Sequence, residues 1–272
     1  MQSTICLSIR NISQQQSEEL MALLGEEGFE AFEETENGLD AYISEDNFDE
    51  ERSKEITSIY TQDVNINVHA PRNWNAEWEQ QYQPVVVEDI IGIRASFHPA
   101  LKDVQTEIVI TPKMSFGTGH HATTWQMLKM MSKMDFRGWH VFDYGTGTGV
   151  LAIYAVLSGA TNVLAMDIDD WCIENTIENA SVNQCSTIQV VQGEKPPPDQ
   201  QFDCILANIN RHILLEQMSA MAAVIKKGGA LLLSGFYAEE NHLLIEAAEK
   251  ESLFLEKNTE RSGWSCLLLI KK

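Results

Sequence analysis

Three glycines alternate with threonines directly after a short apolar run that ends in an acidic residue. The segment Asp143–Gly149 reads DYGTGTG, and a helical pattern of apolar residues begins immediately after it. Glycine has no Cβ and tolerates positive φ, so the backbone can bend sharply there and expose N–H groups at a helix N-terminus. The spacing therefore predicts a strand-to-helix turn that a ligand approaches closely.

A carboxylate ends the next strand pattern. Asp167 lies twenty-two residues after Gly145, and a carboxylate at the tip of that strand can accept both hydroxyl hydrogen bonds of a ribose. Ile168, which follows it, is predicted to line an adenine pocket. A dinucleotide fingerprint GxGxxG would require glycine where Val150 stands, which argues against a pyrophosphate-binding dehydrogenase.

A polar side chain ends a later apolar run. Asn208 closes the strand pattern at 202–208, and the usual order of a doubly wound sheet places that strand beside the one ending at Asp143. The side-chain carbonyl of Asn208 could accept a hydrogen bond from an amine nucleophile. Asn208 is therefore the candidate residue for orienting an amine acceptor.

These motifs resemble those of class I S-adenosylmethionine (SAM)-dependent methyltransferases. The preceding segment Phe116–Thr124, FGTGHHATT, resembles the signature of the ribosomal protein L11 methyltransferase (PrmA) family. The family usually has proline where Ala122 stands, but the threonine hydroxyls and the backbone N–H groups of the loop remain.

The resemblance covers essentially the whole chain and implies an enzyme with SAM as cofactor. It implies N-methylation of lysine side chains of the large-subunit ribosomal protein L11, free or on the ribosome, with the N-terminal α-amine as a further candidate acceptor. The cofactor site expected from it comprises Phe116, Gly117, Thr123, Thr124, Gly145, Gly147, Asp167, Ile168 and Asn208.

The elements that position these residues alternate in type. From residue 139 onward the patterns predict a doubly wound, seven-stranded Rossmann-like α/β sheet, with an antiparallel hairpin at one edge. Strands are predicted at 139–143, 162–167, 187–191, 202–208, 229–235, 252–258 and 263–270, and helices at 149–158, 170–182, 211–226 and 238–250. Short strands are also expected within 85–112.

A smaller domain is predicted at the N-terminus. Its patterns follow the order βαββαβ, typical of an α+β ferredoxin-like domain, with a capping box at Ser13 and Gln16 and a hairpin turn at Asn37 and Gly38. The domains expected are 1–70 for substrate recognition, a linker helix at 71–84 with Trp74 and Trp78 on one face, and a methyltransferase domain at 85–272.

Acidic residues dominate the composition. The formal net charge is -21, and residues 1–70 contain 16 Asp/Glu but only 3 Lys/Arg. Such a surface repels nucleic-acid phosphates and attracts a basic protein partner, although acidity also serves solubility alone. We expect no direct DNA binding.

Other features indicate a cytoplasmic protein, expected to be a monomer. The N-terminus lacks a leader pattern, and no apolar run approaches the roughly 20 residues needed to cross a membrane. Five cysteines without a CxxC pair indicate reduced core residues. Adjacent histidines point about 100° apart on a helix, so His120 and His121 predict no metal site.

Three alternatives remain open at this stage. A SAM-dependent enzyme could act on a different acceptor, because the core motifs indicate the cofactor more firmly than the substrate. The chain could instead be a catalytically silent SAM-binding or ribosome-assembly module, or a dehydrogenase.

Overall fold

Residues 3–69 and 82–272 are described by the structure, a computed structural model. The chain divides into two units, Met1–Gln81 and Tyr82–Lys272. Most of the predicted linker helix, including Trp74 and Trp78, lies outside the described residues. Residues 82–84 of it are described and form neither helix nor strand, because the Tyr82 and Gln83 carbonyls bind the rings of His98 and His120 instead of helix N–H groups.

The first unit contains a four-stranded antiparallel sheet with strand order β2-β3-β1-β4. Its elements are β1 (Thr4–Arg10), α1 (Gln14–Glu26), β2 (Ala31–Thr35), β3 (Gly38–Ser44), α2 (Glu50–Thr57) and β4 (Val64–His69). Alternate residues of β1, such as Leu7 and Ile9, are fully buried in an apolar core that also includes Leu20 and Leu24 of α1. The alternating apolar residues of the strand and the apolar face of the helix are thus buried in the same core.

Local signals in this unit are reproduced with one difference. The capping box is present, since Ser13 Oγ accepts from Gln16 N and Gln16 Oε1 accepts from Ser13 N. The predicted hairpin turn at Asn37 and Gly38 is wrong by one residue: Glu36 and Asn37 form the turn, and Gly38, which has no left-handed φ, begins β3 and pairs with Thr35. Glycine is needed there because a Cβ would lie 1.9 Å from the carbonyl oxygen of Ile9 on the adjacent strand.

The second unit contains fifteen α-helices and β-strands within the described residues. They are β5 (Val85–Val87), β6 (Ile91–Ala95), β7 (Thr106–Ile110), α3 (Ala122–Met131), β8 (His140–Tyr144), α4 (Val150–Leu157), β9 (Asn162–Asp167), α5 (Asp170–Val182), β10 (Ile188–Gln192), β11 (Phe202–Asn208), α6 (Arg211–Ala223), β12 (Ile225–Tyr237), α7 (Asn241–Lys250), β13 (Leu253–Arg261) and β14 (Trp264–Lys271).

The main sheet has seven strands in the order β10-β9-β8-β11-β12-β14-β13. The first five are parallel, whereas β14 is antiparallel to both of its neighbours. Apolar cores lie on both faces of this sheet, as parallel strands covered by helices require. The predicted doubly wound α/β sheet with an antiparallel edge hairpin is confirmed.

Several predicted boundaries are wrong; β13 continues to Arg261 rather than ending at 258, and the junction of α6 and β12 is displaced. Helix α6 ends at Ala223 rather than at 226, and β12 begins at Ile225 rather than at 229. Ile225 pairs with Phe202 of β11, so burial of a β-branched residue against the sheet outweighs the continuation of the helix. The short strands β5, β6 and β7 form a separate three-stranded sheet.

Helix α5 carries asparagines at four-residue spacing that bind the edge of β7. Asn183 Oδ1 accepts from Val109 N at 2.9 Å, while its Nδ2 donates to Val109 O. Asn179 Oδ1 accepts from Thr111 N at 2.8 Å, and its Nδ2 donates to Thr148 O at 2.8 Å. The two asparagines therefore form the hydrogen bonds that a further strand would make at the edge of β7. Through Thr148, Asn179 also connects this edge to the glycine-rich turn.

We expect Asn179→Ala to destabilise the protein by roughly 2–4 kcal/mol, because the Thr111 N–H and the Thr148 carbonyl would both be left buried without partners. Urea unfolding followed by circular dichroism measures the change. Asn162→Ala, at an exposed strand end, is the control. A loss below about 0.5 kcal/mol for Asn179→Ala, the usual effect of a surface substitution, would contradict this role.

Candidate functional site

A cavity of about 630 Å³ lies at the carboxyl ends of β8, β9 and β11. This is the edge at which an open α/β sheet binds ligands, at the point where the strand order reverses. Seven of the nine residues predicted for the site line the cavity: Phe116, Thr123, Gly145, Gly147, Asp167, Ile168 and Asn208. The two others, Gly117 and Thr124, are buried behind this lining.

The glycine-rich turn needs glycine for close approach as well as for conformation. Gly145 has φ +76°, and a Cβ there would lie 2.2 Å from Ile209 Cγ2. Gly147 has φ +57°, and its Cβ would lie 2.2 Å from the Phe116 carbonyl oxygen. Gly149, also left-handed, is the N-cap of α4. The predicted strand-to-helix turn is confirmed.

Asp143 lies beneath this turn and is fully buried. Its Oδ2 accepts from Thr146 Oγ1 at 2.7 Å and from Ala152 N at 3.1 Å, whereas Oδ1 has no partner. Burial raises the pKa of Asp143 to about 7 and outweighs these two hydrogen bonds, which lower it; the charge of Asp167 raises it further.

Asp167 is oriented by three backbone N–H groups. Oδ2 accepts from Gly147 N at 2.9 Å, and Oδ1 accepts from Ile168 N at 2.9 Å and from Asp169 N at 3.3 Å. Each carboxylate oxygen can accept more than one hydrogen bond. Asp167 therefore lies at the cavity wall in a fixed orientation with acceptor capacity left for a ligand hydroxyl.

Asn208 ends β11 on the other side of the turn. Its Nδ2 donates to Thr124 Oγ1 at 3.3 Å, and its Oδ1 has no hydrogen-bond partner. Thr124 takes one of the two Nδ2 hydrogens, and Oδ1, buried and without a partner, is the acceptor atom of this side chain that a ligand in the cavity could use. Thr124, fully buried, contacts this site through Asn208.

The loop before α3 is fastened to the glycine-rich turn. The Phe116 carbonyl accepts from Thr148 N at 2.9 Å, and the Gly117 carbonyl accepts from Thr148 Oγ1 at 2.8 Å. Gly117 also needs to be glycine, because a Cβ would lie 2.7 Å from Thr148 Oγ1. His121 caps α3 by accepting from Thr123 N. The threonine at 148 thus holds the loop against the cavity.

The two adjacent histidines have different partners. His121 Nδ1 lies 2.8 Å from Thr123 Oγ1, and the His120 ring nitrogens lie 3.0 Å from Thr118 Oγ1 and 2.9 Å from the Gln83 carbonyl. Both histidines therefore serve to shape the loop through hydrogen bonds.

Sequence reasoning missed two tryptophans that line the cavity. Trp171, in the first turn of α5, is 51% exposed, and its position four residues after Asp167 is a signal that could have identified it. Trp264 begins β14 and stacks on Tyr237 with ring centroids 4.3 Å apart. Only the long-range pairing of β14 with β12 brings Trp264 to the cavity, so no local pattern indicates it.

The seven-stranded mixed sheet, its acidic glycine-rich turn and the cavity beside it define an α/β methyltransferase fold. The family model described as ribosomal protein L11 methyltransferase (PrmA) matches residues 4–272. The chain belongs to this family, as its sequence motifs predict.

Relatives of similar length support the assignment. The chain is 42% identical over 259 residues to a ribosomal protein L11 methyltransferase of Porphyromonas gingivalis, covering 91% of this chain and 88% of that protein. It is 38% identical to one of Phocaeicola vulgatus, covering 92% of each. A crystal structure of ribosomal protein L11 methylase from Lactobacillus delbrueckii subsp. bulgaricus aligns with a TM-score of 0.65 at 28% identity, covering 70% of this chain and all of that one.

Among the described residues, no helix is both long enough and apolar enough to cross a membrane.

We expect Gly147→Ala to lower the free energy of unfolding by at least ~2 kcal/mol, because the new Cβ meets backbone and the left-handed φ disfavours alanine. Gly138→Ala is a matched control: Gly138 has φ +79°, but no heavy atom lies within 4 Å of its Cβ position. Chemical unfolding compares the two. Equal losses would show that only the backbone conformation matters at 147.

The pKa of Asp143 predicts a pH dependence of stability. The native carboxyl, with a pKa of about 7, binds a proton that the unfolded chain releases near its ordinary pKa of about 4. Stability contributed by this group therefore falls as pH rises from ~4 to ~7, by up to ~1.4 kcal/mol per pH unit.

Asp143→Asn removes this dependence, so the stability of wild type relative to the variant should decline across that window and then level off. Urea unfolding at a series of pH values measures the difference. A difference that is independent of pH between 4 and 7 would contradict the raised pKa.

Proposed function

We propose that this chain transfers methyl groups from SAM to lysine side chains of ribosomal protein L11, and that the N-terminal α-amine is a further acceptor. The observation that carries the proposal is the shared cavity of Asp167 and Asn208, on opposite sides of the glycine-rich turn, with the Asn208 carbonyl oxygen unpartnered. The relatives from Porphyromonas gingivalis and Phocaeicola vulgatus are named as methyltransferases of ribosomal protein L11.

The cavity is suited to SAM at one end. Asp167 has acceptor capacity for ribose hydroxyls, and the exposed apolar surfaces of Ile168 and Trp171 beside it suit a flat base. The absence of Cβ atoms at Gly145 and Gly147 lets Ile209 and the Phe116 carbonyl approach the turn closely, and both of these residues line the cavity. When bound, SAM supplies an electrophilic methyl group on a sulfonium.

The residues of the loop before α3 complete this site. Phe116 and Thr123 line the cavity, and Phe116 is half exposed towards it. Gly117 and Thr124 support them from behind, through Thr148 and Asn208 respectively. We propose that Phe116 and Thr123 contact the cofactor and that Gly117 and Thr124 act through these neighbours.

The acceptor amine must be neutral to attack. A lysine amine has an ordinary pKa of about 10.4, and removal from water lowers it. The carbonyl oxygen of Asn208 accepts an N–H of the amine and so directs its lone pair, which reduces the entropic cost of reaching the in-line geometry. The proton leaves to water, which requires no dedicated base.

The first unit suits substrate recognition. Its β2-β3-β1-β4 order supports a ferredoxin-like arrangement, for which we propose residues 1–70, with the methyltransferase domain at 85–272. The three basic residues within 1–70 are each paired with acidic ones: Arg10 with Asp40, Arg52 with Glu27 and Glu55, and Lys54 with Glu50. The excess negative charge attracts a basic protein.

We also propose that the protein acts as a monomer in the cytoplasm, where ribosomal proteins are made. The acidic surface argues against direct binding of DNA.

Incubation of a bacterial ribosomal protein L11 with the enzyme and methyl-labelled SAM tests the proposal. We expect label in L11, located at lysines by mass spectrometry, and no label in a basic control protein such as lysozyme. The absence of label in L11, with the enzyme folded and able to bind S-adenosylhomocysteine, would reject L11 as the substrate.

Asn208→Ala tests the orientation of the amine. We expect kcat to fall roughly 10-fold to 100-fold, while the affinity for S-adenosylhomocysteine measured by calorimetry changes less than threefold, because the lost hydrogen bond belongs to the acceptor. Asn210→Ala, beside it at the start of α6, is a comparison variant. Full turnover by Asn208→Ala would contradict the assignment.

Trp171→Ala tests the opposite end of the cavity. We expect the affinities for adenosine and for S-adenosylhomocysteine to fall by a similar factor, roughly 5-fold to 100-fold, because base–aromatic stacking is worth ~1–3 kcal/mol. Calorimetry measures both, and Trp171→Phe should retain most of the affinity. Unchanged binding of adenosine would place the base elsewhere.

A further inference from the structure

The first residues of the second unit are bound by two histidines. The Tyr82 carbonyl accepts from His98 Nε2 at 2.7 Å, and the Gln83 carbonyl accepts from His120 Nε2 at 2.9 Å. A carbonyl only accepts, so each Nε2 must carry the hydrogen. His98 Nδ1 in turn accepts from Ala95 N at 3.2 Å, which fixes the tautomer of that ring.

Contacts between aromatic rings also hold the segment at Tyr82 and Gln83 against the two histidines. The Tyr82 ring meets His120 edge-on with centroids 4.9 Å apart and lies nearly parallel to His98 at 6.0 Å. Burial raises the pKa of Tyr82, so its phenol stays neutral. Side chains and backbone of this segment are thus held together by the same two histidines.

His120 belongs to the loop that lines the cavity. The loop packs closely on the small sheet, because a Cβ on Gly119 would lie 2.5 Å from Ile93 Cδ1. Three residues before Gly119, Phe116 lines the cavity and accepts from Thr148 N; two residues after it, His121 lines the cavity and caps α3. One side of the loop therefore faces the cavity, and the other is bound to Gln83.

We propose that His120 is a positioning residue: by holding the Gln83 carbonyl, it sets the position of the cavity loop and couples it to the segment that follows the first unit. This inference rests on the proposed function, in which that loop contacts the cofactor. A change in the position of residues 82–83 would therefore be transmitted to the cofactor site.

The coupling has a thermodynamic signature. If L11 bound through the first unit shifts the segment at Tyr82 and Gln83, it must change the affinity for S-adenosylhomocysteine, and S-adenosylhomocysteine must change the affinity for L11 by the same factor. Loss of the His120 contact should remove this mutual effect.

Calorimetric titration of the full chain with S-adenosylhomocysteine, with and without saturating L11, tests the inference. In His120→Ala we expect the affinity for S-adenosylhomocysteine to fall roughly fivefold, as for loss of one hydrogen bond, and its dependence on L11 to vanish. His120→Gln, whose amide N–H can reach the Gln83 carbonyl, should restore most of both. His242→Ala, an exposed histidine on α7, is the control.

Wild-type affinity and an unchanged effect of L11 in His120→Ala would overturn the inference, as would the absence of any effect of L11 on wild-type affinity. Equal impairment of His120→Gln and His120→Ala would also overturn it, because a merely structural ring would not be replaced by an amide. Failure of L11 to bind at all rejects the proposed substrate instead, and the titrations without L11 still decide the positioning role.

Discussion

The hydrogen bond from the Gly147 N–H to the carboxylate of Asp167, 2.9 Å long, joins the ends of two neighbouring strands. Gly147 has a left-handed φ, and its backbone approaches the Phe116 carbonyl so closely that no Cβ fits. The carboxylate is thereby held at the cavity wall, and the loop at Phe116 is held above it. The wall of the cavity at Asp167 therefore depends on the hydrogen bond from Gly147 and on the close approach of Gly147 to Phe116.

Around this contact, side chains also form hydrogen bonds to backbone groups of neighbouring elements. Thr148 binds the loop with both its N–H and its hydroxyl, while its carbonyl accepts from Asn179 of α5. Asn179 also satisfies the edge of β7. A chain of hydrogen bonds therefore runs from the small sheet through a helix to the turn, which explains why polar residues are fully buried in this part of the core.

Sequence patterns predicted what is local. The glycine-rich turn, the capping box at Ser13 and the seven-stranded sheet each follow from short-range periodicity or from residue chemistry, and the structure reproduces them. The length predicted for helix α6 is too great, because the helix ends where Ile225 pairs with Phe202, and these two residues are far apart in sequence. Trp264 and the contact of His120 with Gln83 arise from long-range packing, so no pattern within a window of the sequence could indicate them.

The position of β14 in the sheet has a consequence for the order of assembly. It follows every other strand along the chain, yet it lies between β12 and β13. Because β13 is the edge strand of this sheet and pairs there with β14, it cannot dock on the sheet before β14 has been synthesised. During synthesis the parallel strands can therefore associate as they emerge, whereas Trp264 reaches the cavity only when the hairpin closes on the finished edge. A nascent chain thus carries the glycine-rich turn before it carries a complete cavity.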